Sequence, residues 1–553
     1  MKSNIYLLPL LAAFSLPASA QLDNTVEVTN EVKPVVKDAN KINVLPKVVE
    51  TSATHKQVEY LDQSQPFKKF DVEPIRDYSC DAVYNGNKRG YLQLAGGSHG
   101  QVDAQGAYQF DFTNHDVLNI DLTLSGFNGK TLDNDYYDVK NWTSRFYKNR
   151  VAGKFNHRFD NGVDLYVKGG IENHVFNYMQ SIYNLNSKSD KQRNSLVDAQ
   201  AGITPYEVGD FVLSGEATIQ MFHQGQPQSL DEKYNEAILK ASGAAEYMFS
   251  DEHSVELSVE LFKSGYDMDE VEGISHIHFM PHYVYKGDSF TLCAGIVGGT
   301  DGDFAPDLSF AYHAAPHGDL YVKAVGYDED NTFRRLSALH PAFQLYKGIF
   351  ENKIELDAEF HQIDACVGYR FAGRKGFSGD VNVGFDMASN VAEIMLISDQ
   401  LNGLEYPWVR LCDAQRFYFN ADFTYANKDR VKVDLKNGFN FRKHKTAYSD
   451  EWVNGSNAHP LLDLRWKADF KIVENLHAGI NWELGYYESD GDAKDYERPV
   501  TNNLGLSVRY AFPIDMPLSV FVKGDNLLNQ SFDRYFGYRN IGANVIAGVA
   551  LSF

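Results

Sequence analysis

The feature that most constrains the fold is a regular rhythm of connections along residues 88–553. Segments of about ten residues, with alternating apolar and polar side chains, are separated by connections that are short and long in turn. The short ones are built from turn-forming residues. They lie near Asn114–His115, Asn161–Gly162, Val208–Gly209, Asp251–Glu252, Lys286–Gly287, His317–Gly318, Arg374–Lys375, Asn427–Lys428, Glu474–Asn475 and Pro513–Pro517. This asymmetry is typical of outer-membrane barrels, which have tight periplasmic turns and larger external loops.

The same rhythm predicts the number of strands. Most of the intervening connections are long, polar and aromatic; examples are Lys130–Arg145, Gln180–Asn194, Asp328–Lys353, Lys443–Pro460 and Glu488–Asn502. Ten short turns join twenty strands, and one further strand at each end gives about 22. The even total agrees with the rule for bacterial barrels. We therefore predict an all-β fold, a transmembrane antiparallel β-barrel of about 22 strands. A soluble sandwich or propeller would not require this two-sided pattern.

Alternation within the strands predicts which side chains face lipid. The odd positions of Phe417–Tyr425 are apolar or aromatic, and nearly all the even ones are polar. In the last strand, alternate residues from Val545 to the terminal Phe553 are apolar. Since successive side chains of a strand point to opposite faces, this pattern predicts one set of lipid-facing residues and one set of lumen-facing residues. We expect Phe417, Phe419, Phe423, Val545, Val549 and Leu551 to face lipid, and Asn420, Asp422, His276, His278 and His282 to face the lumen.

The first twenty residues predict export. Lys2 precedes an apolar run from Ile5 to Leu16, and Ala18-Ser19-Ala20 matches the small-residue pattern cleaved by signal peptidase. We expect the mature chain to begin at Gln21. A first transmembrane helix is the alternative, but the run is shorter than the ~20 residues that a spanning helix needs. No later apolar stretch reaches that length, so we expect a barrel of the cell outer membrane, in contact with outer-membrane lipid.

Composition supports this class and excludes another. The chain has 33 Tyr and 36 Phe but only 5 Trp, and its mean hydropathy is negative. A barrel combines these properties because each strand has one apolar and one polar face. The formal charge is −22 and becomes −23 when Lys2 leaves with the signal, which argues against a nucleic-acid partner. The disulfide state of the scattered Cys80, Cys293, Cys366 and Cys412 stays open.

The C-terminal strands resemble those of TonB-dependent receptors. The resemblance rests on the runs Gly505–Tyr510, Val520–Gln530, with its Asn-Leu-Leu-Asn element at 526–529, and Gly548–Phe553. Arg89–Gly97 is similar to the first barrel strand of that family. The resemblance covers about 465 residues, mostly through rhythm. It implies a barrel of about 22 strands that takes up a ligand across the outer membrane.

The segment before the barrel departs from that family. Its receptors carry a folded plug domain inside the barrel, but only residues 21–87 precede the first strand. Pro34, Pro46, Pro66 and Pro74 favour an extended periplasmic or lumen-facing segment. We expect no plug, and a lumen that is empty, filled by infolded loops or threaded by this segment. Asn24–Thr29 resembles the TonB-contact peptide, although alternating Val and Thr is common in other segments.

The best candidate for a chemical site is the run from His276 to His282. Its three histidines, His276, His278 and His282, would share one face of a strand with Met280. If Lys286–Gly287 were a two-residue turn, Met280 would lie opposite Cys293. Imidazole, thioether and thiolate suit copper or zinc. The alternative is that a wide polar lumen contains some rows of histidine without binding a metal, and we assign no metal-ligating residue on sequence alone.

The other candidates are weaker. Asp301, Asp303 and Asp307 fit either a calcium loop or a solvated acidic loop, as do Asp267, Asp269, Glu270 and Glu272. A further set contains external aromatic residues that fit sugar stacking, protein contact or simple loop packing: Tyr136, Tyr137, Phe532, Tyr535, Phe536 and Tyr538. The sequence contains no convincing nucleophile–base–acid set or phosphate loop. We therefore expect no enzyme, no catalytic residue and no cofactor.

Two functions stay open. The first is transport, in which a plugless receptor-type barrel passes small solutes or takes up a ligand. An acidic lumen would then favour cations. The second is a non-transporting structural subunit of a larger outer-membrane complex, with an outer-membrane or periplasmic protein partner. The sequence identifies neither the ligand nor the partner.

Overall fold

The computed structural model describes the barrel. It covers residues 89–553 apart from 135–138, 178–190, 226–233, 269, 316–317, 346–353, 374–375, 400–403, 428–429, 446–450, 457, 489–499, 515–516 and 536–537. The described residues form a closed antiparallel barrel of 22 strands, as predicted. The expected signal peptide (1–20) and N-terminal segment (21–87) lie outside the described residues.

The barrel strands are numbered in chain order. They are β1 Gly90–Gly97, β2 Val102–Asp111, β3 Asp116–Asn134, β4 Val139–Arg158, β5 Asp164–Asn177, β6 Lys191–Val208, β7 Phe211–Gln224, β8 Tyr234–Met248, β9 His253–Tyr266, β10 Ser275–Lys286, β11 Phe290–Gly299, β12 Phe304–Ala315, β13 Gly318–Glu329, β14 Glu359–Ala372, β15 Phe377–Asp399, β16 Leu404–Asn427, β17 Val431–Lys445, β18 Leu462–Val473, β19 Leu476–Tyr486, β20 Thr501–Ala511, β21 Leu518–Asp525 and β22 Asn544–Ser552.

Closure joins the two ends of the barrel. β1 pairs with β22 from Tyr91 opposite Ser552 to Gly97 opposite Ile546. All ten short connections lie between strands where the sequence placed them. Two of the tightest are the two-residue turns between β6 and β7 and between β18 and β19; in the first, Gly209 has a positive φ of 63°. Glycine adopts that conformation without the steric cost that a side chain would bring.

Several external connections are shorter than the sequence suggested, because the flanking strands continue past the membrane. β15 and β16 have 23 and 24 residues, whereas ~9–11 tilted residues suffice to cross the bilayer. Most of the predicted loop Lys130–Arg145 is in fact the end of β3 and the start of β4, paired from Lys130 opposite Ser144. Alternation alone does not distinguish a strand inside lipid from its continuation in water.

The two faces of the barrel follow the predicted alternation. Phe417, Phe419, Val545 and Val549 are exposed on the outer face, whereas His276 and His278 are buried on the inner one. Among the described residues, helices are too short and too polar to cross a membrane. The exposed aromatic and aliphatic side chains of the outer face form the apolar band that lipid requires, and the polar side chains line the lumen.

Candidate functional site

The external mouth of the lumen is occupied by the seventh external loop. Loop seven comprises residues 330–358, with 346–353 outside the described part, and contains helix α1, Phe333–Leu339. The side chain of Thr332 caps the helix by accepting a hydrogen bond from the Arg335 backbone N–H, at 3.1 Å. After the helix, Gln344 and Leu345 pair in parallel with Trp408 and Val409 of β16. The loop therefore folds into the barrel and meets its wall.

An apolar core holds loop seven inside the mouth. Phe333, Leu336 and Phe343 of the loop are fully buried. They belong to one cluster with inner-face residues of β6–β9, β15 and β16 and with further residues of the fifth, seventh and ninth external loops: Leu196, Phe222, Tyr234, Ile238, Phe262, Val271, Ile274, Leu345, Leu356, Ala392, Ile394, Val409 and Ala458. β7 and β16 are nine strands apart in the ring of 22, in which strands on directly opposite walls are eleven apart. The core thus bridges the lumen.

Polar contacts fix the same loop to the wall. Glu236 of β8 accepts hydrogen bonds from the backbone N–H groups of Phe333 and Arg334, at 2.8 and 3.2 Å. These are N–H groups of the first helical turn, which have no partner within the helix. The Gln224 side chain of β7 donates to the Phe343 carbonyl at 3.3 Å. The wall therefore satisfies backbone groups of the loop that would otherwise be buried unpaired.

Loop eleven, residues 526–543, packs beside loop seven. Phe532, Tyr535 and Tyr538 are buried, which favours loop packing over an exposed sugar-stacking surface for these three. The Tyr538 hydroxyl donates to the Arg145 carbonyl at 2.9 Å, and the Tyr535 ring lies 5.9 Å from the ring of His340 in loop seven. The two loops therefore meet at the mouth. Tyr136, Tyr137 and Phe536 lie outside the described residues.

A buried ionic network anchors α1 to the strands that flank its loop. Arg335 binds Glu329 at the end of β13 and Glu359 at the start of β14, both at 2.6 Å. Burial opposes the charge of Arg335, but the two carboxylates raise the pKa of its guanidinium above the ordinary value. Glu359 also contacts His361 at 3.0 Å, and His361 contacts Asp386 at 2.6 Å. The helix is thereby connected to charges deeper in the lumen.

The predicted histidine row faces the lumen beneath this loop. His276 Nε2 lies 2.7 Å from Asp330, the first residue of loop seven. His278 Nε2 lies 3.1 Å from Asp328 at the end of β13 and 3.3 Å from Asp301 of the sixth external loop. Burial raises the pKa of the Asp330 carboxyl, but His276 and Lys240 together lower it by more than burial raises it. The pKa of Asp330 therefore lies below its ordinary value. The row is thus surrounded by carboxylates from three other segments.

The predicted pairing of Met280 with Cys293 is wrong. Cys293 lies opposite Val284, and Met280 lies opposite Ser258 of β9. The turn starts after Lys286 and is longer than two residues, because Lys286 itself pairs with Thr291. Cys293 instead contributes to a second group on the inner face, with His282 and Asp307. Of the other cysteines, Cys366 and Cys412 carry free thiols, and Cys80 lies outside the described residues.

The first acidic set, Asp301, Asp303 and Asp307, does not lie within one loop as expected. Asp301 and Asp303 lie in the sixth external turn, but Asp307 lies within β12 and contacts His282 at 2.6 Å. A tight turn accounts for this, because the Asp301 side chain accepts a hydrogen bond from the Asp303 N–H at 3.1 Å and Gly302 has a φ of 96°. The group Asp301, Asp303 and Asp307 is therefore split between a turn and a strand. Asp269, of the other acidic set, lies outside the described residues.

Comparison with known proteins places this geometry among outer-membrane receptors. No protein-family model and no curated protein matches the sequence. Solved structures do match. The ferric enterobactin receptor PfeA of Pseudomonas aeruginosa has a TM-score of 0.63 and 11% identity, over 84% of this chain and 80% of that one. The FrpB iron transporter of Neisseria meningitidis has a TM-score of 0.64 and 8% identity, over 84% of this chain and 81% of that one. The copper transporter OprC is similar as well, with a TM-score of 0.59 and 12% identity, over 84% of this chain and 82% of that one. The fold is that of a TonB-dependent receptor barrel.

This fold places the protein in the outer membrane. The structures that it resembles are transporters and receptors rather than enzymes. At such low identities the likeness establishes the barrel alone, so the substrate must be argued from this chain's own residues. The element that sequence reasoning missed is α1. Its signal was present as Thr332, a helix-capping residue, followed by Phe333 and Leu336 at helical spacing.

Proposed function

We propose that the protein takes up a ligand across the outer membrane through a barrel whose external mouth is closed by loops seven and eleven. The observation that carries this is the apolar core between loop seven and opposite parts of the wall. Within the described part of the loop, strand pairing with the barrel wall is limited to Gln344 and Leu345. It can therefore move without breaking the barrel ladder, as elements that control access to a site commonly do.

The likeness to named transporters supports uptake. The similar structures are described as a ferric enterobactin receptor, an iron transporter and a copper transporter, so a metal-containing or cationic nutrient is the class of ligand that we favour. The acidic groups around the histidine row are consistent with a positively charged solute. The absence of a plug stays a prediction from the sequence.

The same packed mouth also fits the alternative of a structural subunit in a larger outer-membrane complex. The mouth is filled by the protein's own loops, and a barrel that never opened would have the same packed interior. The two functions differ in whether loop seven can leave the mouth and whether a solute then crosses the barrel.

A permeability assay separates them. Full-length protein in liposomes should retain an entrapped small sugar, whereas the double variant Phe333→Ser/Phe343→Ser should release it, because two fully buried rings are removed from the loop core. Phe112→Ser, at an exposed position of a periplasmic turn, is the matched control and should stay tight. A folded double variant that stays impermeable would overturn the transport proposal and favour the structural subunit.

A further inference from the structure

Two imidazoles and several carboxylates converge at one point of the external mouth. The rings of His276 and His278 stack with centroids 4.2 Å apart, and their Nε2 atoms contact carboxylates from three other segments. One ligand atom each from His276, His278 and Asp301 lies within 4.8 Å of the other two. Neighbouring strands and turns therefore deliver these donors to the same small volume.

The Asp328 carboxylate is the most unusual member of this cluster. Its side chain is only 4% exposed, and neither oxygen accepts a hydrogen bond from the described residues. His278 Nε2, 3.1 Å from one oxygen, is its ion-pair contact. Burying a carboxylate without hydrogen bonds is costly unless a cation compensates the charge. Asp328 thus points into the cluster with coordination capacity unused.

We propose that His276, His278, Asp301 and Asp328 bind a divalent transition-metal ion, with zinc as the best match. Two imidazole nitrogens and two carboxylate oxygens form a four-donor set that suits Zn²⁺. Calcium takes 6–8 oxygen ligands and magnesium favours octahedral oxygen sites, so neither suits this set. The same carboxylates support the proposed uptake of a cationic solute, but metal binding here requires no movement of loop seven, so its test can fail or succeed independently of the transport proposal.

The geometry needs a small adjustment to hold the ion. Bonds of about 2.0–2.2 Å in a tetrahedral site put donor atoms about 3.4 Å apart. The donors of His276, His278 and Asp301 lie within 4.8 Å of one another, so side-chain rotations must bring them up to about 1.4 Å closer. Asp301 lies in a turn and is partly exposed, so it can supply most of this movement. Asp328 contacts His278 at 3.1 Å but lies outside that 4.8 Å group, so its carboxylate must turn further towards the ion. Asp330 binds Nε2 of His276, and also Lys240, and so orients this imidazole. The donor of His276 to the ion is then Nδ1, which has no hydrogen-bond partner among the described residues.

The test is metal binding by the full-length protein in detergent after removal of metal with a chelator. Titration with Zn²⁺ in a calorimeter, and with Co²⁺ by visible absorbance, should reveal a tetrahedral nitrogen–oxygen site without thiolate charge-transfer bands. Losing an outer-shell partner typically weakens metal binding 10–100-fold. The double variant His276→Gln/His278→Gln and the single variant Asp328→Asn should therefore each weaken it by about 100-fold or more.

Two further variants locate the site. His157→Gln removes a histidine that contacts Asp116 at 2.7 Å near the periplasmic end of the barrel, and binding should be unchanged. His282→Gln tests the second group, with Cys293 and Asp307, and should also leave the affinity unchanged. The proposal is overturned if the wild type binds no metal, if Asp328→Asn binds as tightly as the wild type, or if only His282→Gln loses binding. Should the double variant fail to fold, Asp328→Asn decides alone.

Discussion

Removing the ring of Phe333 should release loop seven while leaving the barrel intact. Phe333 is fully buried, and its ring packs against Tyr266, Tyr234 and Phe343 with centroid distances of 4.5, 5.1 and 6.1 Å. Replacing a buried Phe by Ala typically costs about 3–5 kcal/mol. All of this cost falls on the closed arrangement of the loop, because the residue forms no part of the strand ladder.

The size of the effect follows from that energy. Since about 1.4 kcal/mol corresponds to a tenfold change in an equilibrium constant, the open population of loop seven should rise between about 10²-fold and about 4 × 10³-fold. Hydrogen exchange measures this rise through three amide groups of the loop. The N–H of Leu336 binds the Thr332 carbonyl, that of His340 binds Leu336, and that of Phe343 binds His340, at 2.9–3.1 Å. Their exchange should accelerate by the same factor, up to the unprotected rate.

The control for this experiment is Phe532→Ala, which removes an equally buried ring from loop eleven. It should accelerate exchange in loop eleven and change the peptide around α1 much less. If Phe333→Ala leaves the exchange of residues 333–345 within threefold of wild type in a folded barrel, the core does not hold the loop. Equal acceleration in every strand would instead mean that the barrel itself has been destabilised.

Three other substitutions test separate parts of the account. Arg335→Leu removes the guanidinium that compensates the charge of the fully buried Glu359, which should cost about 3–5 kcal/mol and accelerate exchange in loop seven; unchanged exchange would contradict the anchoring role. Val549→Arg places a charge on the lipid face of β22 and should lower the free energy of unfolding by about 2–4 kcal/mol, whereas Val549→Thr should change it much less in the same denaturant titration. Tyr418→Phe removes the hydroxyl that donates to Asp364 at 2.6 Å and should cost about 1–3 kcal/mol; an unshifted unfolding midpoint would argue against that bond.

The barrel was predictable because its signals are local. Turn residues mark one end of each hairpin, and period-two alternation sets the facing of side chains such as Phe419 and His278. The metal ligands were predictable only in part. The i, i+2 spacing placed His276 and His278 on one face, but Asp301 and Asp328 join them through strand register and turn length. A register error of four residues at the turn after Lys286 was enough to place Cys293 opposite Met280 rather than opposite Val284.

The core in the mouth could not be derived from any one segment. Its members come from β6–β9, β15, β16 and three external loops, so each segment contributes only one or a few apolar residues to it. From the sequence alone, Phe333 and Phe343 cannot be distinguished from aromatic loop residues that are exposed and bind a partner. What distinguishes the two cases is the presence of Ile238 and Ile394 on the facing walls, which only the closed barrel brings within reach.

The most direct test of the central claim is the single-channel conductance of the full-length protein in planar bilayers. It should be compared with a variant in which residues 333–345 are replaced by a short Gly-Ser linker, with folding verified by circular dichroism. We expect the wild type to spend most of its time closed, and the variant to give a steady conductance that prefers cations, because the chain has 74 acidic and 52 basic residues. A wild type that conducts as strongly as the variant, or a folded variant that stays silent, would contradict closure of the mouth by loop seven.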